Sequence, residues 1–410
     1  MCRSICCLLL VVLLLRLIPG LGEPVWAQYF ELNGHRRHLT VPFRIIRNSV
    51  IIQVRLDDHG PYNFILDTGV GMMVITDPCI MDTLNLTRDH VLKLAGTGQG
   101  DDYDAYATRA LKVGIPGLTS YGVGAAVFKE DHFGLSNYIG IPIHGLLGYD
   151  FFSRLIVKID FTDSLLFISR PGHLRPQPHY EKIAIDIAHN KPYLTTRIRF
   201  CDKTVRTCRL IVDLGAGHPL SLESAARNQW PVDGAISANL GMGLTGPVNG
   251  EISRVNCLSL GRYQLMNILS SFPERQNNPF MYEPRDGNLG MDILKRFTII
   301  FDYSDSLIYL KPGTRLHEPF EHDMSGLDYY SGGAGLNHIF ISRVDSGSAA
   351  DGAGIRVDDE ITSVNFKTSP DLTLEDLDRM FSSVDGRGFV LGIYRDHKYY
   401  KVILSLKRRI

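Results

Sequence analysis

The stretch Asn63-Phe-Ile-Leu-Asp67-Thr-Gly-Val-Gly71 has a counterpart in Arg209-Leu-Ile-Val-Asp213-Leu-Gly-Ala-Gly217. In each, three apolar residues lead into an aspartate, followed by one variable residue and a glycine. The apolar run reads as the buried end of a strand, and the glycine lets the chain turn sharply after it. The correspondence continues downstream. Leu147-Gly-Tyr-Asp-Phe-Phe-Ser-Arg-Leu155 matches Leu289-Gly-Met-Asp-Ile-Leu-Lys-Arg-Phe297, and each is followed by an alternating strand, a turn and a second strand, at 156–168 and 298–310. An Asp-Ser pair, 163–164 and 305–306, stands at both turns, where its side-chain-to-backbone bonding is favoured. Glycine-rich stretches, Gly96-Thr-Gly-Gln-Gly100 and Gly241-Met-Gly-Leu-Thr-Gly246, fall between these ends. The chain therefore carries two copies of one β-rich unit. Pro171, Pro176 and Pro178 mark the segment between them as an extended linker.

From about residue 320 the repeat stops. Strand Leu336–Val344, a turn at Ser346-Gly347-Ser348, a short helix ending at Gly354 and strand Glu360–Phe366 are expected there. A helix with Leu374, Leu377 and Phe381 on one face and two closing strands complete a separate small α+β domain. The 410 residues carry 43 basic and 44 acidic side chains, a balance that gives no electrostatic reason to expect nucleic acid or an anionic membrane as partner. At the other end, Arg3 precedes an apolar run from Ile5 to Leu15, then Pro19-Gly20 and the small-x-small site Val25-Trp26-Ala27. This reads as an export signal at 1–27, cleaved before Gln28. The run is too short for the ~20 residues of a membrane span. Cys201 and Cys208 flank a hairpin turn, where either a bridge or two free thiols would fit. No paired His/Cys spacing suggests a metal, and no cofactor is expected.

A single carboxylate at a buried strand end is a polar group in an awkward place. Two such carboxylates, related by an approximate two-fold, can come within hydrogen-bond reach. They cannot both ionise at that separation, so the pair shares a proton. The ionised oxygen can then act as base on a water while the protonated partner polarises a peptide carbonyl.

Residues 49–312 resemble the pepsin and retropepsin-like aspartic proteases. Asp67-Thr68-Gly69 matches that family's catalytic triplet, Asp213-Leu214-Gly215 matches it in two of three places, and Leu146-Leu147-Gly148 and Asn288-Leu289-Gly290 resemble its later signature. The resemblance implies a mostly β protein of two homologous β-barrel-like lobes, at 28–175 and 176–318. It also implies catalysis by Asp67 and Asp213, supported by Thr68, Gly69, Leu214 and Gly215. Thr68 is expected to brace the opposite lobe, whereas Leu214 has no hydroxyl with which to return that brace. The family closes a glycine-rich hairpin over its substrate; Gly96–Ala110 fits that place, and Gly241–Ile252 is expected to be an ordinary hairpin. Although Gly241-Met-Gly243-Leu-Thr-Gly246 fits a dinucleotide motif, Pro247 and Gly250 forbid the helix that motif must open. Val70 and Ala216 stand where pepsin-like proteins carry a hydroxyl donor, so the dyad is expected to titrate higher than pepsin's.

Val344-Asp-Ser-Gly-Ser-Ala-Ala350 and Gly352-Ala-Gly-Ile-Arg-Val-Asp-Asp-Glu-Ile361 resemble the bacterial PDZ signature, assigning 319–410 to a PDZ domain. Such domains add a peptide as an extra strand and hold its carboxylate in a loop of backbone N–H groups. Ser325-Gly326-Leu327, by position, is the expected loop. The sequence thus describes an exported, bacterial, periplasmic, cell-surface or secreted aspartic endopeptidase acting as a monomer on protein or peptide substrates, with C-terminal tails held at the PDZ groove. The alternative is a catalytically silent scaffold that binds peptides in the same two places.

Overall fold

In the computed structural model the described residues are 29–88, 90–94, 96, 98, 103–174, 176–223, 230–274, 284–369 and 371–410. The expected export signal and its cleavage site lie outside them. The chain is mostly β, and its described residues form four sheets. A six-stranded sheet holds the repeated hairpins back to back. Its two central strands, Ile156–Asp160 and Phe297–Asp302, pair antiparallel with Lys158 opposite Ile300. These two residues are equivalent positions of the two copies, so the approximate two-fold passes between them.

On either side of that sheet each copy builds its own lobe, an eleven-stranded sheet in the first and an eight-stranded sheet in the second. The same knot of strands recurs in both. Strand Gly145–Leu147 runs parallel to His59–Leu66 and antiparallel to Met73–Ile75. Strand Gly287–Leu289 does the same between Val205–Val212 and Leu220–Leu222. Both strands that end at the aspartates are buried over their last residues, as the apolar runs require. A Cβ on Gly148 would lie 2.2 Å from the Val70 carbonyl oxygen, and one on Gly290 would lie 2.0 Å from that of His218. No side chain fits there, which is why the Leu-Gly step is repeated.

One apolar core runs through both lobes, from Phe30 to Phe320, and a second fills the C-terminal unit around Leu377, Phe381 and Phe389. That unit is a sheet whose outer strands are Leu327–Gly332 and Lys398–Ser405. Helix Leu374–Phe381 packs on it, started by a capping box between Thr373 and Asp376. Strand Leu327–Gly332 corrects the sequence reading, which began the domain's strands at Leu336. Its inward positions are Leu327, Tyr329 and Ser331, a pattern without the aliphatic alternation of its neighbours.

Cys201 and Cys208 are free. The hairpin closes between Phe200 and Thr204, so Cys208 sits opposite Thr196 and Cys201 stays in the turn. Of the two outcomes the sequence left open, that register gives the free thiols. Burial pushes the Cys208 thiol up to about 12.

Candidate active site

Asp67 and Asp213 end equivalent strands, and their amides donate to equivalent carbonyls, Leu147 at 3.0 Å and Leu289 at 2.9 Å. The turn that follows each brings the glycine amide back onto the carboxylate, Gly69 N to Asp67 Oδ1 at 2.7 Å and Gly215 N to Asp213 Oδ1 at 3.0 Å. Each carboxylate also lies against the other lobe's glycine. A Cβ on Gly69 would fall 2.7 Å from Asp213 Oδ1, and a Cβ on Gly215 would fall 2.2 Å from Asp67 Cγ. Both triplets need glycine because the opposite carboxylate occupies the space. The two aspartates, 146 positions apart in the chain as are Thr68 and Leu214, are thereby brought together.

Burial, first, and the neighbouring charge of Asp213, second, push the Asp67 carboxyl up to about 8. The pair differs in its donors. Asp213, 8% exposed, accepts a second hydrogen bond, from Asn288 Nδ2 at 2.7 Å on Oδ2. Asn288 stands where the first lobe has Leu146. The sequence reading saw no donor near the dyad once Val70 and Ala216 replaced the usual hydroxyls; for Asp213 the Asn288 amide fills that role. Burial and the neighbouring carboxylate thus favour the protonated form of Asp67, while Asp213 is the member of the pair with the additional donor. Lys191 lies in the same field. Burial and Arg285 lower its pKa, while the charges of Asp213 and Asp67 act in the opposite sense.

Thr68 makes its expected brace. Its hydroxyl donates to Val212 O at 2.6 Å and accepts from Leu214 N at 2.9 Å, both across the lobes. Leu214 is fully buried in the shared core and anchors its strand by packing. A second, reciprocal brace was not foreseen. The hairpin turns Arg47–Asn48 and His189–Asn190 occupy equivalent places, with positive φ at all four residues. Asn48 Nδ2 donates to Gly217 O at 2.9 Å, and Asn190 Nδ2 donates to Gly71 O at 3.0 Å. Each asparagine thus holds the loop behind the opposite aspartate. Extending the repeat upstream to the paired asparagines would have found it.

The glycine-rich stretch of the second lobe is a hairpin of Ile236–Gly243 and Gly246–Leu260, as expected in place of a dinucleotide turn. It is not an ordinary one, however. A Cβ on Gly96 would lie 2.4 Å from Leu244 Cβ, and a Cβ on Gly98 would lie 2.5 Å from the Thr245 backbone. The tip of the second lobe's hairpin thus meets Gly96 and Gly98 of the first lobe, and Leu244 packs on the same apolar cluster as Val70, three residues past Asp67. Part of the first tip, including Thr97 and Gln99–Asp102, lies outside the described residues.

A family model described as aspartyl protease matches residues 52–151, and one described as PDZ domain matches residues 316–387. The chain carries an aspartyl protease domain and a C-terminal PDZ domain. Among solved structures it is similar to the aspartic proteinase from Irpex lacteus, at 14% identity over 68% of this chain and 99% of that one, with a TM-score of 0.44. No curated protein sequence matches it. The protease match ends before the second lobe, so Asp213 joins Asp67 here through the internal repeat and the geometry above.

The expected PDZ carboxylate loop is not open. Ser325 N and Gly326 N donate to Asp323 Oδ1 at 2.9 and 2.8 Å, and Leu327 N donates to Ser325 Oγ at 3.1 Å. All three amides of Ser325, Gly326 and Leu327 hydrogen-bond to the chain's own oxygens, so a peptide carboxylate at the expected loop would have to displace them. The sequence showed Asp323 two residues ahead of Ser325, an Asx-turn spacing that explains the closure.

Proposed function

We propose that the protein is an exported aspartic endopeptidase in which Asp67 and Asp213 share one proton. The observation that carries this reading is the mutual seating of each carboxylate on the other triplet's glycine. With Asp213 ionised and Asp67 protonated, a water between them gives its proton to Asp213 as its oxygen attacks the peptide carbonyl carbon. The Asp67 proton passes to the carbonyl oxygen, leaving a neutral tetrahedral diol. Collapse breaks the C–N bond, the amine takes up the proton held by Asp213, and a diol proton returns to Asp67. No acyl-enzyme forms. The meeting of the second hairpin's tip with Gly96 and Gly98 supports a cleft that closes over an extended peptide and excludes bulk water.

The silent-scaffold alternative rests on Leu214, whose missing hydroxyl would loosen one side of the dyad. The Thr68 brace and the paired asparagines hold both loops without it, which favours the active reading. Because each lobe supplies one carboxylate, the active species is a monomer. The basic start and apolar run of the first residues support export to the periplasm, cell surface or medium. The test is digestion of a peptide library by the purified chain, read by mass spectrometry with and without pepstatin. Pepstatin-sensitive internal cleavage is expected; an undigested library across pH 3–8 would overturn the proposal.

A further inference from the structure

Strand Leu327–Gly332 is an outer strand of the PDZ sheet and, with helix Leu374–Phe381, forms the groove into which PDZ ligands add as a strand. Here the protease domain already fills it. Asn137 Nδ2 donates to Ser331 O at 2.8 Å, and Arg47 Nη1 reaches Tyr329 O at 3.5 Å, so side chains meet carbonyls that a paired strand would use. Arg47 is the centre of the contact. Its Nε and Nη2 donate to the two carboxylate oxygens of Asp378 at 2.8 and 3.0 Å, and its Nη1 donates to Tyr138 O at 2.8 Å. The guanidinium lies 4.3 Å from the Tyr138 ring and 5.3 Å from that of Tyr329, and Tyr329 Oη donates to Asp378 at 2.7 Å. Only 11% of the Arg47 side chain is exposed.

On the PDZ side, the Asp378 carboxylate engaged through both oxygens beside the Tyr329 ring is a receptor for a planar cation. We propose that the PDZ groove takes an extended internal peptide segment carrying an arginine or lysine, with Arg47 holding that place in cis. The chemistry at the groove's end agrees. The loop that would receive a terminal carboxylate is filled by Asp323, whose buried oxygen would repel another carboxylate. Asp328, on the strand itself, is hydrogen-bonded to Asn239 of the second hairpin at 3.0 Å and lies 3.9 Å from Arg343. Entry of a basic segment exchanges one cation for another at Asp378 and releases the protease domain from the strand. Arg47 is the neighbour of Asn48, which braces Gly217, so the exchange also bears on the loop behind Asp213. That last link rests on the proposed peptidase activity; the binding itself does not.

The test is fluorescence anisotropy with full chains carrying Asp213→Asn, so that cleavage cannot consume the probe. The probe is an acetylated, amidated octapeptide with one central arginine among valines and threonines. Because a closed groove weakens apparent affinity by the fraction of molecules that are open, Arg47→Ala should tighten binding at least tenfold over the parent. Adding Asp378→Asn to Arg47→Ala should lose at least tenfold again, and replacing the probe's arginine by glutamate should abolish binding. Asn137→Ala, which leaves Arg47 and Asp378 in place, should tighten binding severalfold and serves if Arg47→Ala does not fold. Unchanged affinity in the folded variants would overturn the proposal. So would equal binding of an arginine-free peptide with a free C-terminal carboxylate.

Discussion

Replacing Asn288 with leucine isolates the contact that gives the two aspartates different roles. The first lobe already carries leucine at this register, so the side chain suits the strand. The change removes the 2.7 Å hydrogen bond to Asp213 Oδ2 and leaves Gly215 N, at 3.0 Å on Oδ1, as donor. It also removes Asn288 Oδ1, which is buried without a partner among the described residues. A hydrogen bond to a charged group contributes about 1.5–3 kcal/mol. One pKa unit corresponds to about 1.4 kcal/mol. Asn288 is a donor to the ionised pair, so its loss should raise the acid limb of the pair's kcat/KM profile by roughly one to two pH units. The assay is hydrolysis of a fluorogenic peptide from pH 3 to 9, with the limbs assigned to the pair and not to single residues. The basic limb, set by loss of the dyad's last proton, should stay near the value of about 8 to which Asp67 is pushed. An acid limb that does not move, in a variant that still turns over, would refute that role for Asn288.

Thr68→Val should destabilise by roughly 2–4 kcal/mol in chemical denaturation, because Val212 O and Leu214 N both lose a buried partner. Leu214→Thr, which restores the family's triplet, should also destabilise, by about 2 kcal/mol, since it removes a fully buried core side chain; a more stable variant would show that packing does not anchor this strand. Asp67→Asn should raise thermal stability at neutral pH by an amount on the order of 2 kcal/mol. The sign follows from linkage: the Asp67 pKa is raised on folding to about 8, so the native chain loses stability as pH climbs from the ordinary carboxyl range through that value. The gain should vanish near pH 4 in calorimetry, and a gain that persists there would contradict the shift.

The two Asp-x-Gly copies and their Leu-Gly partners were legible because each is a local pattern written twice, so the lobes and both carboxylates followed from period and register. What escaped lies between the copies. Asn288 hid as an imperfect match to an apolar signature, although a polar residue opposite Leu146 was itself the signal. Asn48 and Asn190 looked like ordinary turn residues until each was found on the far lobe's glycine. The meeting of Leu244 with Gly96, and of Arg47 with Asp378, joins residues far apart in the chain, and no spacing rule connects them. The closed PDZ loop was a local feature overlooked, since Asp323 precedes Ser325 by the two residues an Asx turn needs.

The central claim is that Asp67 and Asp213 act together on one water. It is tested most directly by the initial rate of cleavage of one peptide by the purified parent, Asp67→Asn and Asp213→Asn chains at a single pH near 6. The parent should cleave an internal bond, and each variant, folded as judged by circular dichroism, should fall by at least a thousandfold. Comparable cleavage by either variant would contradict the account.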